Sequence, residues 1–567
     1  MADRFDKTCI VAVNASYSHS SLSARCLYKA LNENAFVCEY TINDNVAKVA
    51  AELYKQFCGL YAFSCYIWNI DFILDVCKIL KTATPDCVIL LGGPEVSYDA
   101  QDLMRKNEFI DFILCGEGEI SIKNFVLGKD YKDIDGLVYR QENDIIANPP
   151  KTICDLDKLN RLYTKKDILN LDNKMLYYET SRGCPFSCSY CLSSVSKGVR
   201  FFSLERVFED LKLFMDCGVK LVKLTDRTFN IDKERTKKIL RFIIENNLNT
   251  CFHFEISADI LDEETILIFN SAPKGYFQLE IGIQSTNEEV LSAINRKTNI
   301  EKLKENVKCL QSANNMHIHL DLIAGLPCED YLSFQKSFND VFSLRPDMLQ
   351  LGFLKLLKGT SIRDKADKYD YKYTPKAPYE VISNKIISYD EILKLKDVCE
   401  IIEKYYNSAS FTLSLEMALG FFDSAYDFFC VFASYWNKNG LFSRPQSKKT
   451  LYEIFCNFYN ECINNDNEIF YEKLKFDFIK NNKNASLPSW APRMCDKAFY
   501  SAAYEFLKSE SGRKYIGDMS DDKIAHIMSA VKVEKFNFDI TDTNEFVETV
   551  IFFNYEKNSF TKIEEKF

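Results

Sequence analysis

Along residues 1–150, short apolar runs that end on a small or polar residue alternate with amphipathic stretches. The runs are CIVAVN (9–14), VCEYTIN (37–43), LYAFSCY (60–66), CVILLGG (87–93) and IDFILCG (110–116), and stretches such as SLSARCLYKALNEN and NIDFILDVCKILK lie between them. Strands without a polar face, separated by helices, predict a parallel, doubly wound sheet covered on both sides. Ligands of such sheets bind beyond the carboxyl ends of the strands. Those ends read Asn14, Ser64-Cys65-Tyr66, Gly92-Gly93-Pro94-Glu95 and Gly116-Glu117-Gly118-Glu119. Glycine at these points lets a bulky ligand approach the backbone. GLVYRQENDIIANPP predicts a hairpin that closes the unit, and its prolines mark a linker.

From about 170 to 358 the pattern becomes six strand-then-helix repeats. The strands are MLYYETS, LVKLTD (221–226), CFHFEIS (251–257), YFQLEIGIQS (276–285), HIHLDLIAGLP (317–327) and DMLQLGFLKL (347–356). Six parallel strands with crossover helices predict an incomplete barrel, with its chemistry at the carboxyl ends of the strands. Residues 360–567 read as mostly helical and rich in Phe, Tyr and Lys. Their most apolar part, 414–440, is either a core helix pair or the wall of an apolar substrate pocket or lid.

Composition adjusts this picture in three ways. A chain of 567 residues, 47% hydrophobic and 27% charged, is globular and too long for one core. No run approaches about 18 consecutive apolar residues, and the charged start MADRFDKTCI has no signal-like apolar region. We therefore expect a cytoplasmic protein without a membrane span. The formal charge of −10 argues against duplex nucleic acid as a partner, although a local basic groove is compatible with it. The 21 cysteines, scattered singly, read as buried small hydrophobes of a reducing compartment rather than a disulfide framework.

The exception is CPFSCSYC (184–191), directly after the first barrel strand. Three thiolates hold three irons of a 4Fe–4S cluster and leave the fourth iron open to an outside ligand. Zinc would need a fourth Cys or His at finger-like spacing, and none lies within twenty residues.

The C-x3-C-x-aromatic-C spacing and the six-strand pattern resemble the radical S-adenosylmethionine (SAM) superfamily. The resemblance implies that Cys184, Cys188 and Cys191 bind the cluster, that SAM chelates the open iron, and that Tyr190 lies by the adenine. It implies further SAM contacts from Asp226 in TDRTFN, from Gln284 and Ser285 in GIQS, and from Gly325 and Pro327 in IAGLP. LLGGPEVSYD and ILCGEGE make residues 1–150 similar to the cobalamin-binding domain that precedes the barrel in one large subfamily. That likeness implies cobalamin contacts from Asn14, Ser64, Tyr66, Gly92, Gly93, Glu95, Gly116, Glu117 and Gly118. The histidine motif D-x-H-x-x-G of methionine-synthesis homologues survives only as Tyr17-x-His19-x-x-Leu22, so base-off cobalamin without a protein imidazole is expected.

The subfamily resemblance implies methylation of an unactivated carbon, with an electron donor such as flavodoxin or ferredoxin. Rearrangement or cyclisation without methyl transfer, a barrel whose first domain has lost cobalamin, and a non-catalytic redox sensor remain as alternatives. A small molecule, lipid, peptide or modified nucleoside would each be compatible as substrate.

Overall fold

The computed structural model describes residues 5–31, 35–171, 174–195, 198–465, 467–483, 485–516 and 524–564. It divides into two units, Met1–Pro346 with Gln350–Ile392, and Asp347–Leu349 with Leu393–Phe567. No helix among the described residues is long and apolar enough to cross a membrane.

The first unit begins with β1 (Thr8–Asn14), β2 (Ala35–Thr41), β3 (Leu60–Ser64), β4 (Val88–Gly92), β5 (Phe112–Leu114), β6 (Leu137–Gln141) and β7 (Asp144–Ala147). They form one sheet in the order β2-β1-β3-β4-β5-β6-β7. The first five are parallel, and β6 and β7 close the edge as the expected antiparallel hairpin. Tyr61 and Phe63 pack with Leu53, Ile73 and Leu80 on one face. Leu60 and Ala62 pack with Ile122 and Phe125 on the other. Covering both faces is why these strands read as unbroken apolar runs. The winding reverses between β1 and β3, which opens a crevice at their carboxyl ends. Asn69 pins that point: Nδ2 donates to the carbonyls of Val13 (2.9 Å) and Ser64 (3.0 Å), and Oδ1 accepts from the Tyr66 N–H (2.7 Å).

The same unit continues through β8 (Leu176–Tyr178), β9 (Ser181–Arg182), β10 (Arg200–Phe201), β11 (Leu221–Leu224), β12 (Cys251–Ile256), β13 (Phe277–Gln284), β14 (His317–Ala324) and, from Gln350 on, β15 (Met348–Phe353). Six of these form an open sheet in the order β15-β14-β13-β12-β11-β8, while β9 and β10 pair with each other. The pairings from β8 to β14 are all parallel. One set of alternate side chains is apolar and buried, for example Val222, Phe252, Phe254, Leu279, Ile281, Ile318 and Leu320. The opposite set is polar, running through Lys223, His253, Glu255, Glu280, His319 and Asp321. A short hairpin, β16 (Lys372–Tyr373) with β17 (Val381–Ser383), follows.

The second unit is mostly helical, as expected. Phe428, Phe429, Phe432 and Trp436 of the helix Ala425–Lys438 are fully buried, and Phe432 stacks on Phe458 at 4.1 Å. The 414–440 stretch therefore supplies core. An antiparallel sheet of β18 (Val531–Phe536), β19 (Thr549–Asn554) and β20 (Ser559–Ile563) was not expected from the pattern. Its strands of five and six residues are too short to separate from helix by periodicity.

Candidate active site

The cysteine loop leaves β9 at Gly183. Its φ is +98°, and a Cβ there would fall 2.1 Å from the Gly198 carbonyl oxygen, so only glycine fits the turn. The Ser189 N–H donates to Ile294 O (2.8 Å), the Ser189 carbonyl accepts from the Ile362 N–H (3.0 Å), and Asn295 Nδ2 holds Ser187 O (2.9 Å). Cys188 is buried, with Cys184 and Cys191 partly exposed. Among the described residues no three His, Cys, Asp or Glu side chains converge on a single metal ion. The thiolates of a cubane bind separate irons, so they need not converge on one point.

Arg296 was not singled out from the sequence, yet it is the cation of this loop. Nη1 lies 3.8 Å from Cys188 Sγ and 3.4 Å from the Tyr190 hydroxyl, and Nη2 donates to the Gly282 carbonyl. Burial pushes the Cys188 thiol up, and Arg296 pulls it back. A neighbouring guanidinium favours the thiolate that iron ligation requires. The only local signal was the INRKT segment, whose Asn295 takes a positive φ of 55°.

Asp226 is 1% exposed. It accepts from the Thr180 N–H (2.9 Å), Thr180 Oγ1 (2.6 Å) and Ser181 Oγ (2.5 Å). Both of its oxygens thus brace the entry to the cysteine loop. Gln284 ends β13 at φ 74°, and its Oε1 is buried without a partner. Ser285 Oγ donates inward to Glu329 Oε1 (2.6 Å). Gly325 lies at the end of β14 with φ +83°, and its carbonyl accepts from the Tyr371 hydroxyl (3.0 Å). Pro327 is buried two residues further on.

At the ends of the first sheet, Asn14 Nδ2 donates to His19 O (3.1 Å). Tyr66 stacks on Trp68 at 4.4 Å, and Trp68 is 47% exposed beside a cleft of about 320 Å³ lined by Ile67, Asp71, Lys355 and Pro378. The Gly92 carbonyl accepts from the Cys65 N–H (2.7 Å). A Cβ on Gly93 (φ +109°) would fall 2.5 Å from Cys65 O. Glu95 is buried and accepts from Tyr379 (2.5 Å) and Lys358 (3.0 Å). Gly116 packs under Pro150 and Gly118 beside Leu27.

Glu117 pairs with Arg200 (2.6 Å) and accepts from the Ile153 N–H (2.8 Å). Burial pushes its carboxyl up, but those partners outweigh it and hold it below the usual range. Arg182, two residues before Cys184, pairs with Glu179 (2.7 Å), Glu119 (2.5 Å) and Glu117 (3.9 Å). These ion pairs tie the end of β5 to the entry of the cysteine loop. His19 is likewise engaged by the barrel, its Nδ1 sharing a hydrogen bond with the Tyr177 hydroxyl.

Comparison with known families follows the same division. The family model "Radical SAM superfamily" matches residues 178–341, and "B12 binding domain" matches residues 8–126. The chain thus carries a radical SAM domain and a B12-binding domain. A third model, "Protein of unknown function (DUF4080)", matches residues 367–553. As a B12-binding radical SAM enzyme it uses a 4Fe–4S cluster, SAM and cobalamin.

An uncharacterized methyltransferase of Pyrococcus horikoshii is 24% identical over 391 residues, covering 65% of this chain and 82% of that protein. The cobalamin-dependent radical SAM methyltransferase TokK of Streptomyces tokunonensis is 24% identical over 351 residues, 56% of this chain and 50% of that protein. The chain thus spans about half the length of TokK. Among solved structures, the cobalamin-dependent radical enzyme OxsB shares the fold with a TM-score of 0.58 at 13% identity, covering 85% of each chain. The methyltransferase TsrM of Kitasatospora setae shares it at 0.54 and 17% identity, covering 65% of this chain and 77% of its own.

Proposed function

We propose that this enzyme transfers a methyl group from cobalamin to an unactivated carbon of a small molecule. The observation that carries the reading is the Arg182 ion network, which fixes the strand-end loop of the first sheet to the entry of the cysteine loop. When bound, the cluster with SAM supplies hydrogen-atom abstraction, and cobalamin supplies the methyl group. The chain's own part is placement. Cys184, Cys188 and Cys191 would hold the cluster, with Arg296 favouring the Cys188 thiolate and Asp226 bracing the loop. Tyr190, Gln284, Ser285 and the Gly325–Pro327 turn would meet SAM. Asn14, Ser64, Tyr66, Gly92, Gly93, Glu95 and Gly116–Gly118 would surround cobalamin, base-off, since His19 already has Tyr177 as partner. We assign cobalamin to residues 1–150, SAM to 170–358, and a substrate or lid role to 360–567. A flavodoxin or ferredoxin would deliver the electron.

The test is product stoichiometry with methyl-deuterated SAM, a reductant and a metabolite extract of the source cells. Methyl transfer to an unactivated carbon yields one S-adenosylhomocysteine and one 5′-deoxyadenosine per labelled product. Deoxyadenosine without S-adenosylhomocysteine and without product label would favour cyclisation or rearrangement. S-adenosylhomocysteine with little deoxyadenosine would place the reaction at an sp2 carbon.

A further inference from the structure

The turn that follows β4, Gly92-Gly93-Pro94-Glu95, carries a buried carboxylate whose partners lie outside the first sheet. Glu95 is 2% exposed, and among the described residues its cation and its hydroxyl donor both come from beyond β15. All three N–H groups of the Lys358 ammonium meet this turn: Glu95 Oε1 at 3.0 Å, the Glu95 main-chain carbonyl at 3.3 Å and Asp99 Oδ2 at 2.9 Å. Asp99 is the N-cap position of the helix Ala100–Lys106, so one ammonium holds both ends of the segment 95–99. The Tyr379 hydroxyl donates to Glu95 Oε1 (2.5 Å), and Arg363 and Lys358 lie 4.5 and 5.6 Å from its ring centroid. Tyr379 is itself fastened to the end of the barrel: the Leu356 N–H donates to Tyr379 O (2.9 Å) and the Val381 N–H to Leu354 O (2.9 Å). Gly359 completes the fit, since its φ is +81° and a Cβ there would fall 2.3 Å from the Tyr98 ring.

We propose that Lys358 and Tyr379 are positioning residues that complete the cobalamin site from outside the first sheet, by holding the Gly92–Glu95 turn in its cobalamin-binding form. The proposal rests on placing cobalamin at the carboxyl ends of that sheet. A buried carboxylate left without a counter-charge takes up a proton or turns out to water. Either change at Glu95 reaches the strand ends, because the Glu95 N–H donates to Cys65 O (3.4 Å) and the Cys65 N–H donates to Gly92 O (2.7 Å). Since its carboxylate faces Lys358 and Tyr379, Glu95 acts on cobalamin through the main chain of the turn. The protonation behaviour agrees. Burial draws the Lys358 ammonium down, but Asp99 and Glu95 outweigh it and keep the group charged. Burial, then Glu95, push the Tyr379 hydroxyl up to about 12, so it remains a donor.

The test titrates hydroxocobalamin into the full-length chain with its cluster reconstituted, read by equilibrium dialysis and visible circular dichroism. Lys358→Met should weaken binding about ten-fold or more, because it strands the Glu95 charge. Tyr379→Phe keeps the ring and removes only the hydroxyl, and should weaken binding about three-fold. Both should alter the visible dichroism of bound cobalamin, which reports how the corrin is held, while iron and sulfide stay at the wild-type level. Lys358→Met/Glu95→Gln should bind about three-fold or more tighter than Lys358→Met alone, because it removes the stranded charge. A lysine that served only as packing would show no such recovery. Unchanged affinity in both single variants, or no recovery in the double variant, would overturn the positioning role. If Lys358→Met does not fold, Tyr379→Phe decides alone, and unchanged affinity and dichroism there would overturn it. A wild type that binds no hydroxocobalamin would instead sink the placement of cobalamin itself.

Discussion

Glu329 offers a sharp test of the physical reasoning about this site. It is 1% exposed. Its Oε1 accepts from Ser285 Oγ (2.6 Å) and Ser337 Oγ (3.1 Å), while Oε2 is buried with no partner among the described residues. Burial raises its carboxyl from 4.5 to about 7, against the pull of the two hydroxyls. The folded chain therefore keeps a proton that the unfolded chain has released, so this group's contribution is intact below the unfolded value and lost as pH rises through about 7. At about 1.4 kcal/mol per pH unit, the difference between 4.5 and about 7 amounts to about 3 kcal/mol. Glu329→Gln keeps the shape and the acceptor for both serines but cannot ionise. In urea unfolding of the full apo chain, wild type and variant should match near pH 4. The variant should become progressively more stable, by up to about 3 kcal/mol, by pH 8.5. Taking the difference between the two proteins cancels every other titrating group. A difference flat to within about 0.5 kcal/mol across that range would mean that Glu329 ionises at its ordinary value and that the burial argument is wrong.

Replacing Cys184, Cys188 or Cys191 by Ala should each abolish the iron–sulfur absorbance and SAM cleavage, whereas Cys65→Ala and Cys115→Ala should retain the cluster. Full iron and sulfide in Cys184→Ala would overturn the ligand assignment. Gly93→Ala places a Cβ 2.5 Å from Cys65 O at φ +109°, so it should lower stability by about 2 kcal/mol or more and reduce bound cobalamin; an unchanged melting temperature would contradict the clash. Electron paramagnetic resonance of the Co(II) form should show no protein nitrogen coupling, and a splitting that vanishes in His19→Ala would refute the base-off expectation.

The elements legible in the sequence are those whose cause is local along the chain. The C-x3-C-x2-C spacing lies within one loop, so it survives without knowledge of the fold. The apolar runs around Val11, Phe63 and Leu91 announce strands because a doubly covered sheet leaves no polar face to interrupt them. The Gly92-Gly93 turn was readable for the same reason, since only glycine takes its backbone angles. Arg296, Arg182 and Glu329 were not readable, because each acquires its role from partners on other strands. Cys188 is 108 residues before Arg296, and Glu119 is 63 before Arg182. Asp226 shows the limit most directly: its position after a barrel strand was visible, but which atoms its carboxylate meets depended on how β8 and β11 register. Residue type and spacing determine backbone periodicity and local ligand sets. Whether a buried charge ends up paired, like Glu280, or without a counter-ion, like Asp321, is decided only when distant strands close on one another and remove the water that would otherwise have solvated both.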